Sequence, residues 1–300
     1  MTGSISEVAM KRAFFLLVLF VLVFPASLHA RTWHVRQDGS GDCTTIQACC
    51  GAASTNDTVL VAPGTYVENV NTHWVGLLKS ESGATVTILN WPAAQTNYCV
   101  LVAGNCVVDG FTIRGGIASA PGVGGVYLFN GSLRNCLIID NVNFAMDGPG
   151  EGGGVRAYGS AVIEDNTIVK NGKYPFPYME GAGIYCYHSF TGAIRRNIIV
   201  QNWGGGIFCE PGAAPTIECN NVWGNVWGDY RGSCSDQTGA NGNISVDPLF
   251  CDAQNGDYRL RSDSPCANAP GCGQIGAFGI ACGPTSVTET TWGRIKALFR

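Results

Sequence analysis

One pattern recurs four times between Gly124 and Asn225, and it leaves few folds open to the chain. Its first half is a small-residue pair followed by alternating residues: Gly124-Gly125-Val126-Tyr127-Leu128-Phe129, Gly153-Gly154-Val155-Arg156-Ala157-Tyr158, Ala182-Gly183-Ile184-Tyr185-Cys186-Tyr187 and Gly205-Gly206-Ile207-Phe208-Cys209-Glu210. Its second half begins at Asn135, Asn166, Asn197 and Asn220, as in Asn166-Thr167-Ile168-Val169-Lys170-Asn171. A weaker copy runs from Gly110 to Gly115. Copies start about 23 to 31 residues apart, which is the period of a stacked array and not of a closed globule.

Each copy holds short period-two runs rich in Val, Ile and Tyr, bounded by Gly, Asn and Ser, so the units are strands and turns. A unit this short cannot bury its own apolar side, so copies must stack with like positions about 4.8 Å apart. The expected fold class is all-β, a parallel β-helix. One asparagine per unit then predicts two amide ladders, Asn135, Asn166, Asn197 and Asn220 in one, Asp140, Asn171, Asn202 and Asn225 in the other. The spacing, the asparagine turns and the Gly-Gly-Ile/Val strands resemble the secreted right-handed parallel β-helix proteins of the pectin-lyase-like superfamily. Pectate lyases, polygalacturonases and pectin methylesterases share that fold. The resemblance covers most of the mature chain and implies architecture, because one fold hosts many activities.

At the amino terminus Lys11 and Arg12 precede an apolar run from Ala13 to Phe24, then Pro25 and small residues ending at Ala30. A basic flank, a short apolar core and a small-residue end read as a secretory signal peptide over residues 1–30. The run is shorter than the roughly 20 residues needed to span a bilayer, so no membrane span is expected after cleavage. Fourteen cysteines agree with an oxidising compartment. Cys43, Cys49 and Cys50 near one end and Cys234, Cys251, Cys266, Cys272 and Cys282 near the other suit staples at the ends of a solenoid, whereas Cys186 and Cys209 fit free core positions. The expected location is secreted or at the cell surface, as a monomer. A formal net charge of −4 with no Lys/Arg-rich run argues against nucleic acid as a partner.

The β-helix domain is expected over residues 31–283, opened by a capping helix in which Ile46, Cys49, Cys50 and Ala53 fall at helical spacing. This opening, with Gly39-Ser40-Gly41-Asp42, Thr45-Ile46-Gln47-Ala48 and Gly64-Thr65-Tyr66-Val67-Glu68, is similar to that of pectin methylesterases. Their later motifs, Asp-Phe-Ile-Phe-Gly and Gly-Arg-Pro-Trp among them, have no match here, so the resemblance does not extend to esterase activity. Val246-Asp247-Pro248-Leu249-Phe250 to Gly276-Ala277-Phe278-Gly279 resembles the closing segment of secreted β-helix proteins, expected to seal the far end. Residues 284–300 are a linker and a short basic tail.

If Val126, Val155, Ile184 and Ile207 enter the core, their neighbours must face solvent. The outward set is Tyr127, Phe129, Arg156, Tyr158, Tyr185, Tyr187, Phe208 and Glu210, an aromatic stripe with one Arg and one Glu. Flat rings match the apolar faces of pyranoses, and a guanidinium or carboxylate bonds their hydroxyls, so the expected partner is an extracellular polysaccharide. The competing reading is that loops Asn141 to Gly152 and Gly172 to Gly181, with Phe144, Tyr174, Phe176 and Tyr178, fold over the stripe. As an enzyme the chain would be a lyase or a hydrolase; as a binding or structural surface protein it would hold glycan uncut. Hydrolysis needs paired carboxyls, for which Glu210, Glu180, Glu151 and Asp147 are candidates, and a lyase needs a base, for which Arg156 is best placed. No cofactor or metal is expected, except calcium if the chain is a lyase, and no zinc cluster is present. Asp109, Arg134, Asp165 and Arg196, with Glu164, Arg195 and Glu218 one place earlier, read as charges alternating from coil to coil. His34, His73 and His188 are isolated in sequence, and only His188 lies beside the stripe.

Overall fold

The structure, a computed structural model, describes residues 30–72, 75–91, 98–119, 122–144, 152–172 and 181–284. Each coil of the chain contributes in turn to three sheets whose strands are all parallel. The first sheet has seven strands among the described residues, including Val100–Ala103, Val126–Phe129, Val155–Tyr158, Ile184–Cys186 and Ile207–Cys209. The second has eight, from Thr32–Val35 to Thr216–Glu218, and the third seven, from Gly64–Val67 to Asn221–Trp223. Register places Val126, Val155, Ile184 and Ile207 in one file. Those four residues are fully buried, as are Leu133, Ile163 and Ile194 of the second sheet and Ile138, Ile168 and Ile199 of the third. Burial at each position contributes roughly 1.5–3 kcal/mol.

The second glycine of each pair is required by the neighbouring coil. A Cβ on Gly125 would lie 2.4 Å from the carbonyl oxygen of Gly154, one on Gly154 2.7 Å from that of Gly183, and one on Gly183 2.4 Å from that of Gly206. Any side chain there would force the coils apart.

The ladders form with a corrected membership. In the first, the Asn166 side chain donates to Asn197 Oδ1, Asn197 to Asn220 Oδ1 and Asn220 to Asn243 Oδ1, each at 3.0 Å. Each of these oxygens also accepts the backbone N–H of the preceding rung. Asn135 is not a rung. Pairing of Leu137 with Thr167 puts Cys136 opposite Asn166, and the Cys136 N–H donates to Asn166 Oδ1. Asn135 instead takes the left-handed turn position with φ 54°, as Asp165, Arg196 and Cys219 do on later coils, and donates to Asp109 Oδ1. In the second ladder the rung is Asn141, not Asp140, followed by Asn171, Asn202 and Asn225. Asn suits both the left-handed position and the rung beside it. Its identity alone therefore leaves the register one residue uncertain, and the buried isoleucine file resolves it.

The charge alternation survives with a similar shift. Lys79, Asp109, Arg134, Glu164, Arg195 and Glu218 form one register file. Arg134 thus lies opposite Glu164 and not Asp165. Arg134 pairs with Asp109 at 3.1 Å and Arg195 with Glu164 at 2.8 Å, while Arg196 meets Asp165 at 2.8 Å. These partly exposed pairs contribute about 0–1 kcal/mol each.

Helix Ile46–Ala52 covers the first coil with Ile46, Cys49 and Cys50 buried beneath it, and a Cys43–Cys49 disulfide ties its start. The carboxylate of Glu68 accepts the N–H groups of Ile46 and Gln47 at 2.9 and 2.8 Å, satisfying donors that a helix start leaves open. Asp57 clasps the entering strand, accepting from Arg31 N, Ser54 N and Trp33 Nε1.

The closing segment packs against the last coils, with Trp223 and Ile244 on its core. Residues 241–244 make an irregular last coil at the far end, with Cys219 N and Val222 N donating to Asn241 O and Ile244 O. From Val246 the chain folds back along the flank. Its three strands, Phe250–Asp252, Asp257–Arg261 and Ile280–Cys282, form a separate small sheet. Tyr258, Leu260, Cys266 and Ile275 build a second core against Leu137, Ile139, Val169, Ile198 and Val200 on the outer side of the third sheet. Disulfides Cys219–Cys272 and Cys251–Cys282 hold this segment, and Cys209 pairs with Cys234, contrary to the expectation that Cys209 is free. Cys50, Cys99, Cys106, Cys136, Cys186 and Cys266 are free and buried. Burial pushes the Cys50, Cys99, Cys136 and Cys266 thiols up to about 12. They are core residues, not nucleophiles.

Two outcomes follow from these contacts. Asn197→Ala strands the N–H and amide of Asn166 and should lower stability by about 2–4 kcal/mol in urea denaturation, whereas Asn135→Gly should change it by less than about 1 kcal/mol. The three N–H groups at Asp57, that of Ser54 first, then Arg31 and Trp33, hold its carboxyl below the usual 3.8. The stabilisation is therefore complete above that usual value and is lost as pH falls through the lowered folded one. Asp57→Asn should make the urea midpoint less steeply dependent on pH below about 4.

Candidate functional site

The outer side of the first sheet carries two files of side chains. Strand register aligns Tyr127, Arg156, Tyr185 and Phe208 in the first. Phe129 and Tyr158 pair in the second, which Tyr187 and Glu210 continue through the bonds Tyr187 N to Ala157 O and Glu210 N to Cys186 O. All eight residues of the expected stripe therefore come together on one face, opposite the core-facing Val126, Val155, Ile184 and Ile207.

The expectation that this whole set faces solvent is corrected. Arg156, Tyr158, Tyr185 and Phe208 are each less than a tenth exposed, Tyr127, Tyr187 and Glu210 are half-buried, and Phe129 alone of the set is 44 % exposed. The set packs on itself. Tyr127 stacks on Tyr158 at 4.9 Å between ring centroids, Tyr158 meets Tyr187 at 4.5 Å, and Tyr185 stacks on Phe208 at 5.0 Å. The Arg156 guanidinium lies 5.0–5.9 Å from the centroids of Tyr127, Tyr158, Tyr185 and Tyr187. Each such cation–ring contact contributes about 0.5–2 kcal/mol, so a cation surrounded by four phenols organises the face from within. Most of the two loops proposed as covers, with Tyr174, Phe176 and Tyr178, lies outside the described residues, as do Asp147, Glu151, Glu180 and His73.

Glu210 ends the second file and is the described carboxylate of this face. It accepts from the Tyr185 hydroxyl at 2.5 Å and from the His188 backbone N–H at 2.8 Å, and His188 Nδ1 lies 3.4 Å from Oε2. His188, isolated in sequence, has an exposed ring that packs 4.0 Å from Tyr187 and faces Glu210. The two-residue offset between Tyr185 and Tyr187 puts the phenol and the imidazole on the same coil, and Glu210 reaches both from the next. Among the described residues no three His, Cys, Asp or Glu side chains converge as metal ligands would.

One feature of the surface had no counterpart in the sequence reading. The back-folded segment leaves a cavity of about 450 Å³ against the outer side of the third sheet, lined by Arg114, Asp140, Lys170, Asp257 and Tyr258 among others. Asp140 and Lys170 each precede a ladder asparagine, and that equivalence was the signal available.

The chain belongs to the right-handed β-helix family. A family model described as "Right handed beta helix region" matches residues 45–247. Among solved structures the chain is similar to the pectin methylesterase from Aspergillus niger in deglycosylated form, at 14 % identity and a TM-score of 0.35, over 76 % of this chain and 93 % of that one. It is likewise similar to pectate lyase Pel9A, at 14 % identity and a TM-score of 0.34, over 85 % and 98 % of the two chains. At these values neither likeness carries an argument about site or substrate. No curated protein matches the chain.

The Tyr185–Glu210 bond gives a direct test of the face as a built unit. Tyr185→Phe keeps the ring stacking and removes one charge-assisted hydrogen bond, and should cost about 1.5–3 kcal/mol in urea denaturation.

Proposed function

We propose that the protein is exported and holds an extracellular polysaccharide against the outer face of the first sheet, as a binding protein and not as an esterase, lyase or hydrolase. The observation that carries this reading is the aromatic double file, rigid underneath and open at its lip. Arg156, Tyr158, Tyr185 and Phe208 are buried, while Phe129, Tyr127 and Tyr187 retain exposed ring surface, with His188 and Glu210 beside them. Rings fixed before a ligand arrives lose little entropy on binding, and their faces match the apolar side of a sugar ring while polar neighbours bond its hydroxyls. Binding without cleavage is favoured because both charged groups of the double file already serve structure. Arg156 is enclosed by four tyrosine rings, and Glu210 holds Tyr185 and the His188 backbone.

Export is supported by the basic flank and short apolar run before Ala30 and by four disulfides. No helix among the described residues is long and apolar enough to cross a membrane. Asp57 adds a local argument, since Arg31 N lies 2.8 Å from its Oδ1. Cleavage after Ala30 would turn that amide into a charged α-amine facing a carboxylate, a stronger bond than the one it replaces.

The test is retention of the secreted protein on immobilised acidic and neutral polysaccharides, with the soluble fraction assayed for ultraviolet-absorbing unsaturated ends and for new reducing ends. Retention without products is expected. Phe129→Ala combined with Tyr187→Ala should weaken retention roughly tenfold, a loss of about 1.4 kcal/mol. Unsaturated or reducing products from the wild-type protein would overturn the binding reading, and undiminished retention of the double variant would remove the aromatic face from it.

A further inference from the structure

The cavity beneath the back-folded segment is a second site, on a different sheet from the aromatic face. Three successive coils of the third sheet contribute to it. Arg114 comes from one coil, Asp140 from the next and Lys170 from the one after, since Ile139 pairs with Arg114 on one side and Val169 on the other. Leu137, Ile139 and Ile88 give it an apolar floor, and Phe278 stands at its edge. A second hollow of about 510 Å³ shares Thr85, Arg259 and Phe278 with it, so the two form one groove. Each is of a size that takes a small molecule.

The charges of the groove are not equally committed. Arg259 is paired within its own strand, its Nε and Nη2 donating to the two oxygens of Asp257 at 2.8 and 2.7 Å. Lys170 spends one of its three donors on Ala253 O at 3.1 Å, with its ammonium 5.6 Å from the Tyr258 ring centroid. Arg114 is exposed and its side chain makes no hydrogen bond or ion pair among the described residues, and the same holds for the Asp140 side chain. Burial pushes the Asp140 carboxyl above the usual carboxylate range, against the pull of Lys170 and then Arg114, although its outer edge is open to solvent. Two cations with spare donors therefore lie beside one carboxylate, while the Asp257 carboxylate is taken up by Arg259. That balance selects an anion, and the planar five-donor fork of Arg114 suits a carboxylate in particular. The apolar floor, the Thr85 and Thr112 positions and the acceptor oxygens of Asp140 suit a ring bearing hydroxyls.

We propose that this groove binds a small hydroxylated carboxylate, with Arg114 and Lys170 on its carboxylate and Asp140 on a hydroxyl. The site does not depend on the aromatic face. Whether that face binds glycan is decided by other residues.

The experiment is isothermal titration of the full secreted chain with glucuronate and, separately, with glucose, repeated with Arg114→Ala, Thr85→Trp and, as a control at an exposed position outside both sites, Val226→Ala. Glucuronate should bind and glucose should bind at least about tenfold more weakly. Arg114→Ala should weaken glucuronate about tenfold or more, and Thr85→Trp, which fills the junction of the two hollows, should abolish it. Both positions are exposed, so thermal midpoints should stay at the parent value, and Val226→Ala should bind as the parent does. Absence of glucuronate binding by the parent, equal binding of glucose, or binding that survives Arg114→Ala unchanged would each overturn the proposal.

Discussion

The constraint on which the whole rod rests is that every coil must end each strand with a sharp bend whose backbone polar groups are shut away from water. A bend leaves N–H and C=O groups without ladder partners, and an unpaired buried group costs about 1–3 kcal/mol. Asparagine answers this with one acceptor and two donors at the end of a short side chain. In the file from Asn166 to Asn243 the amide oxygens of Asn197, Asn220 and Asn243 each take both the backbone N–H and the side-chain N–H of the rung before. The left-handed residue ahead of each rung turns the chain by the angle that points the amide inward. Stacking is thereby locked to one register, and the valine and isoleucine files follow from it.

The same register makes the outer face of the first sheet a surface with fixed chemistry. Positions that alternate with core residues are repeated at each coil, so aromatic residues placed there accumulate into contiguous rings. Four phenols then share one guanidinium, and a single carboxylate receives a phenol and a backbone N–H from the preceding coil. Such a face cannot flex piece by piece, because each ring is a wall for its neighbour. Its interior is structural and its lip is available. That division within a single stripe is invisible to alternation, which distinguishes inside from outside and says nothing of what lies on top of the outside.

The winding, the parallel sheets, the capping helix and the inward files were legible in the sequence because all follow from period and polarity. Ladder membership was off by one at Asn135 and Asp140, since asparagine and aspartate serve equally as turn residue and as rung. Asn243 escaped notice because no regular strand follows it. The back-folded flank was missed, yet a mark was present. Leu137-Ile138-Ile139, Thr167-Ile168-Val169 and Ile198-Ile199-Val200 are apolar or nearly so without alternation, as strands covered on both sides must be. Burial of Arg156 had no such mark, because the residues that close around it come from three successive coils.

The charges along the second sheet have a consequence for how this molecule came to its present length. Lys79, Asp109, Arg134, Glu164, Arg195 and Glu218 change sign at every step of the rod. Removing or copying a single coil would set two like charges 4.8 Å apart, while removing or copying two would preserve the alternation. Growth or shrinkage of this solenoid by even numbers of coils is therefore the electrostatically quiet route, and a parity rule of that kind is written into the side chains without any coil knowing how many neighbours it has.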